Sequence, residues 1–295
     1  MPSQRGDTAA TLRAAAWMLG AVVSFSTMAI AGREVSFELD TFEIMMYRSV
    51  IGLALLLIVA SVTRTRHTIT GRKPGLHLVR NVFHFTGQNL WFYAITVIPL
   101  AQVFALEFTS PLWVLILSPL VLGEKLTSIR ILAAVFGFIG ILIVTRPSAE
   151  TVNIGTLAAL GAAIGFAGSI IATKRLTRSE TLTCILFWMT FSQSILGVIC
   201  AGFDADIALP SIESTPWLML IALGGLGAHF CLTTALSMAP ATLVTPVDFL
   251  RLPVIALLGL VLYQEQIELL VILGAAIIFG ANYLNLWSET RRKTA

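Results

Sequence analysis

The chain has 295 residues, 57% of them hydrophobic and 12% charged, with a net charge of +3 and a mean hydropathy of +0.87. Soluble domains carry about 25% charged residues, and a soluble globule of this size could not hide so much apolar side chain. The composition therefore excludes an ordinary soluble domain and indicates a polytopic membrane protein.

Ten apolar segments follow one another along the chain, at 12–32, 41–61, 76–97, 100–120, 127–145, 154–172, 181–201, 216–237, 241–261 and 267–286. Several are joined by very short links, which make neighbours antiparallel. The first follows Arg5 and Arg13 and has no small-residue cleavage site, so it reads as a retained helix and not as a removed signal peptide. With the N-terminus in the cytoplasm, fifteen of the nineteen lysines and arginines fall inside, Arg80 among them. Arg33 and Arg146 fall outside, and Arg48 and Arg251 lie within spans. This bias predicts cytoplasmic N- and C-termini. The basic stretch from Arg64 to Lys73 is expected to meet anionic lipid, not nucleic acid.

Polar residues inside the spans are the candidate functional groups, because ionisable side chains are costly in hydrocarbon. Span two contributes Arg48. Span three carries Asn81, His84 and Gln88 at i, i+3 and i+7, with Trp91 continuing the same face and Asn89 and Tyr93 nearby. Such a stripe suits a planar, hydrogen-bonding ligand, and equally a hydrogen-bonded seam between helices. Span four holds Glu107 with Pro111 four residues later, which frees the Glu107 carbonyl and invites a kink. Span eight holds His229. Span nine holds Asp248 and Arg251, spaced to pair on one helix face. Glu107 has no such partner nearby in sequence, and Arg48 is the expected long-range one.

These carboxylates are either structural ion pairs or groups that bind protons or substrate. The asymmetry between them assigns the working contact to Glu107 and a more structural role to Asp248. Glu124 and Glu265 are expected to act near the N-termini of the helices they precede. Gly161 and Gly165 share one helix face and allow close approach of another helix. Cys184, Cys200 and Cys231 show no metal spacing and no disulfide framework, and read as packing residues with no metal bound.

The chain repeats. At an offset of 141 residues Glu107 meets Asp248, Glu124 meets Glu265, Pro99 meets Pro240, Phe108 meets Phe249, and Gln88 meets His229. Each repeat holds five spans. An odd number sends the two halves into the membrane from opposite sides, as in many secondary transporters. The halves are placed at 1–147 and 148–295.

The stretches IPLAQVFALEFTSPLWVLILSPLVLGEKLT and MAPATLVTPVDFLRLPVIALLGLVLYQEQI resemble the drug/metabolite transporter superfamily in its EamA branch. The resemblance covers nearly the whole chain. It implies an all-α membrane protein of ten transmembrane helices, built as two inverted five-helix repeats. It also implies alternating-access transport of a small metabolite across a bacterial inner membrane, with no cofactor. FEIMMYRSVIGLALL and HLVRNVFHFTGQNLWFYAI are similar to alphaproteobacterial riboflavin importers, with S-adenosylmethionine import or metabolite export as alternatives. The substrate and the lipid bilayer are the expected partners, and a homodimer is left open. No GxxxxGK[ST] loop is present to hydrolyse ATP, and no HExxH or acidic cluster marks a membrane-embedded enzyme.

Overall fold

The structure, a computed structural model, describes residues 5–98, 100–145, 153–203, 206–263 and 269–292. Expectations that concern Pro99, Arg146 and Glu265 fall outside these residues.

The described residues are helical throughout their regular structure. The first half comprises α1 (Arg5–Val35), α2 (Thr41–Val62), α3 (Pro74–Val97), α4 (Leu100–Glu107), α5 (Ser110–Leu122) and α6 (Ser128–Thr145). The second comprises α7 (Ile154–Leu176), α8 (Leu182–Ala201), α9 (Thr215–Met238), α10 (Ala241–Val244), a 3₁₀ segment (Thr245–Leu250), α11 (Arg251–Tyr263) and α12 (Leu269–Arg292). Helices α4 and α5 together make the fourth span, and α10 to α11 the ninth. Among the described residues, six helices or helix runs are long and apolar enough to cross a membrane. The polar stripe of α3 and the break between α4 and α5 keep those two spans out of that set.

The 141-residue offset holds for element boundaries. It relates both ends of α3 to α9 (215 − 74 and 238 − 97) and both ends of α5 to α11 (251 − 110 and 263 − 122). It also relates two N-caps, Asp40 before α2 and Thr181 before α8 (181 − 40), each accepting backbone N–H bonds from the first turn. The packing obeys the same relation. Helix α1 lies against α9 and α3 against α7, two contacts that exchange when the halves are exchanged. Helix α2 pairs with its own counterpart α8, and α6 with α12. The chain is thus two inverted five-helix repeats interleaved around a pseudo-twofold axis.

Glycine sets the α3–α7 crossing. A Cβ built on Gly165 would lie 2.8 Å from the Gly87 Cα and 2.8 Å from the Phe83 carbonyl oxygen. Both obstacles are backbone, so no rotamer change relieves them. Gly165→Ala is expected to destabilise the folded chain by about 1–3 kcal/mol, read as a lower unfolding midpoint in detergent. An unchanged midpoint would show that the crossing is looser than described.

Helix breaks have a chemical cause. Pro111 offers no N–H to the Glu107 carbonyl. The helix stops at Glu107, Thr109 N–H turns back to the Leu106 carbonyl at 3.1 Å, and α5 restarts at Ser110. In the other half Pro246 lies in the 3₁₀ segment that contains Asp248. Both repeat-related carboxylates therefore stand where a membrane helix loses its regular hydrogen bonding.

Charged groups near helix ends tie distant elements together, both across the halves and within one. Glu124 does not cap the helix that follows it. Its carboxylate accepts from Ala241 N–H at 2.9 Å, Thr242 N–H at 3.2 Å and the Thr242 hydroxyl at 2.9 Å, capping α10 in the opposite half. Lys174 Nζ donates to the carbonyls of Leu236 (2.6 Å) and Ala239 (2.7 Å) at the end of α9. Outside the spans, Glu38 accepts from the hydroxyls of Ser214 and Ser211 and from Ser211 N–H, which hold its carboxyl below the ordinary range.

Candidate functional site

The site lies where the breaks, the α3 stripe and α9 converge. The space here amounts to about 780 Å³, its mouth included. Its walls come from α1 (Met18, Phe25, Met28), α3 (Arg80, His84, Gln88, Trp91), α7 (Phe166, Ser169, Thr173) and α9 (His229, Leu232, Thr233). The broken spans add Glu107, Ser110, Thr245, Asp248 and Arg251.

Arg251 organises one wall. Its Nη2 donates to Glu107 Oε1 at 2.5 Å and to Asp248 Oδ2 at 2.6 Å. The rings of Phe25, Phe104 and Phe108 surround its guanidinium, with centroids 5.0, 5.2 and 5.2 Å from Cζ. A cation held between two carboxylates and three aromatic faces is compensated in a low-dielectric setting. The position equivalent to Arg251 in the first half is Ser110, so one arginine serves both repeat-related carboxylates. This corrects the expected partnership of Glu107 with Arg48. Arg48 is buried, donates from Nη1 to Met45 Sδ at 3.3 Å, and borders a separate small cavity with Gln193 and Thr190.

The expected division between the two acids changes too. Both oxygens of Glu107 are occupied, Oε1 by Arg251 and Oε2 by the Trp91 indole N–H at 2.6 Å. Asp248 keeps Oδ1 without a hydrogen-bond partner among the described residues, and its side chain is 21% exposed against 7% for Glu107. The acid that borders the cavity with an unpartnered oxygen is Asp248, although sequence spacing favoured Glu107.

Span three divides between the two roles its stripe allowed. His84, Gln88 and Trp91 face the cavity. Asn81 belongs to a seam: its Nδ2 donates to the Trp188 carbonyl (2.8 Å) and Ser192 Oγ (3.1 Å), and its Oδ1 accepts from Arg80. Asn89 bonds back to the Phe85 carbonyl within its own helix, and Tyr93 is 39% exposed on the outside. Neither Asn89 nor Tyr93 borders the cavity, because their positions rotate past the face shared by residues 84, 88 and 91. Trp91 is 1% exposed and edge-on to Phe92 and Phe104, so its main contact is the bond that orients Glu107.

Spacing made His84 and His229 candidates but did not reveal their contact, nor the burial of Arg80. His84 and His229 meet edge to face with ring centroids 4.5 Å apart. Arg80 was counted among the cytoplasmic loop charges but is 2% exposed inside α3. It donates to Asn81 Oδ1 at 2.8 Å and Thr173 Oγ1 at 3.2 Å, both neutral. A cation six residues inside a helix looks like a flanking charge in sequence. Only the packing of α7 against α3 buries it.

Many polar atoms along the walls lack partners among the described residues: His84 Nε2, both His229 nitrogens, Gln88 Oε1, Thr233 Oγ1 and Asp248 Oδ1. Buried polar atoms are nearly always satisfied, so this ring is suited to water or to a polar solute.

Comparison with known proteins agrees with this architecture. The model of the EamA-like transporter family matches residues 12–146 and 153–287. A riboflavin transporter of Brucella anthropi is 33% identical, over 75% of this chain and 80% of that protein. A riboflavin transporter of Vibrio cholerae is 28% identical, over 95% of each. An S-adenosylmethionine uptake transporter of Rickettsia bellii is 26% identical, over 93% of this chain and 94% of its own length. A crystal structure with 18% identity shares the fold at a TM-score of 0.78, covering 94% of this chain and 98% of its own.

Proposed function

This chain belongs to the EamA-like transporter family, a multi-pass carrier of a small metabolite, and we propose that its substrate is riboflavin, taken up across a bacterial inner membrane. The termini are cytoplasmic in this reading, and the two halves alternate access to the central cavity by rocking against each other.

The observation that carries the substrate is the cavity's charge and hydrogen-bonding inventory. Glu107 and Asp248 share Arg251 and exceed it by one negative charge, while Arg80 borders the cavity with only neutral acceptors among the described residues. With neutral histidines the walls carry two cations and two carboxylates, so the cavity as a whole is uncharged and suits a solute with no net charge. S-adenosylmethionine brings a sulfonium and an ammonium against one carboxylate, so it would add positive charge beside Arg80. Riboflavin brings a neutral ring with two carbonyls that can accept from Arg80 and His84, and an N–H for Gln88 Oε1. Phe25 and Phe166 offer aromatic surface to a flat ring.

The roles follow. Gln88, His84, His229 and Arg80 read the polar edge of the solute. Trp91 positions Glu107. The Glu107–Arg251–Asp248 cluster ties the two broken spans across the halves and reorganises when solute occupies the cavity.

The test is uptake by proteoliposomes of the purified chain, paired with growth rescue of a riboflavin auxotroph on trace vitamin. Saturable riboflavin uptake with rescue is expected. Uptake of S-adenosylmethionine with none of riboflavin would overturn the substrate, and no uptake of either by folded protein would overturn the importer reading.

A further inference from the structure

We propose that His77, Glu180 and Cys184 form a binding site for a divalent transition-metal ion of the zinc class, at the end of the bundle where α3 and α8 begin. One His77 nitrogen, one Glu180 oxygen and Cys184 Sγ offer ligand atoms that all lie within 4.8 Å of one another. The site is separate from the central cavity, whose walls include none of the three.

Burial makes the cluster informative. His77 is 1% exposed, and neither ring nitrogen has a hydrogen-bond partner among the described residues. Leaving both nitrogens of a buried imidazole unmet is costly. Glu180, 9% exposed, likewise keeps Oε1 without a partner. Its other oxygen is already fixed by the Thr70 hydroxyl at 2.8 Å. Cys184 is fully buried and in no disulfide; its Sγ accepts from Thr70 N–H at 3.4 Å and its thiol donates to the Thr70 carbonyl at 3.4 Å, a bond that metal binding would replace. Thr70 thus orients two of the three donors from behind, as outer partners do in metal sites. Trp188 covers His77 with ring centroids 5.7 Å apart and donates to the Thr70 carbonyl at 2.7 Å.

The donor set selects the ion. One thiolate, one imidazole and one carboxylate suit zinc and its neighbours, whereas magnesium and calcium require oxygen donors. Binding deprotonates the Cys184 thiol and releases that proton to solvent. A dication with one thiolate and one carboxylate is then neutral, which suits a buried place. Three protein donors leave a position for water. His77 lies in the first half, Glu180 and Cys184 in the second, so the ion would join α3 to the α7–α8 turn. Glu180, in the turn before α8, and Cys184, in its first turn, are four residues apart, while His77 is distant in sequence, so no motif spacing announces the site.

The test uses the full chain in detergent, free of any histidine tag. Cobalt(II) titration is expected to develop a thiolate-to-metal charge-transfer band in the near ultraviolet, saturating at a single ion per chain and displaced by zinc. Cys184→Ser should abolish the band and His77→Gln should weaken cobalt binding at least about tenfold, while Cys231→Ser leaves both intact. Zinc X-ray absorption on the unsubstituted chain serves if the variants fail to fold, with one sulfur scatterer expected at about 2.3 Å. No charge-transfer band, a band that survives Cys184→Ser, or zinc held by nitrogen and oxygen alone would overturn the proposal.

Discussion

Arg251→Met is expected to lower the stability of the folded chain by about 3–5 kcal/mol, the cost of removing one partner from a buried ion cluster, and to abolish uptake. The physical reason is shared neutralisation. A single nitrogen of Arg251 donates to both Glu107 and Asp248, so its loss strands two carboxylates against three aromatic rings. Neither acid has another cation bonded to it among the described residues. The triple variant Glu107→Gln, Asp248→Asn, Arg251→Met removes the charges together. It should recover most of the lost stability in denaturant unfolding while leaving transport absent. A single variant as stable as the parent would show that the cluster does not hold the broken spans together. A triple variant no better than the single would place the cost in lost packing.

Asp248→Asn should have the second largest effect, and on transport instead of folding. Glu107 remains to neutralise Arg251, so the protein should fold, insert and accumulate. Yet the one cluster oxygen without a partner belongs to Asp248, which borders the cavity. A hydrogen bond to a charged group contributes about 1.5–3 kcal/mol, so losing it should reduce uptake on the order of ten- to a hundredfold. Glu107→Gln is the matched control. Its two oxygens already serve Arg251 and Trp91, so its cost should appear chiefly as lower stability. Near-normal uptake by Asp248→Asn, with loss in a folded Glu107→Gln, would return the working role to Glu107.

That reversal shows what spacing along one helix can and cannot tell. Asp248 and Arg251 are three residues apart, and their pairing was legible. Glu107 and Arg251 are 144 residues apart, and the geometry of one helix contains nothing about that contact. Glu124 shows the same limit. Its place before α6 suggested a local cap, but its carboxylate reaches α10 in the other half. The stripe of α3 was legible as a face and ambiguous as a destination: His84, Gln88 and Trp91 reach the cavity, while Asn81 turns to α8. A rotation of a few tens of degrees separates a pocket residue from a seam residue, and neighbouring helices set that rotation.

What the sequence determined by itself was the class and the symmetry. Composition required burial of backbone polar groups inside helices, because hydrocarbon supplies no hydrogen bonds. The 141-residue offset required two inverted halves, because five spans reverse direction. Pro111 marked where the fourth span breaks. Tertiary structure alone decided which polar groups meet. It brought one asymmetric arginine to two symmetric acids and set two histidines face to edge. It buried Arg80, and it gathered His77, Glu180 and Cys184. Periodicity constrains residues on one helix, whereas these contacts depend on how helices distant in sequence rotate and pack against one another.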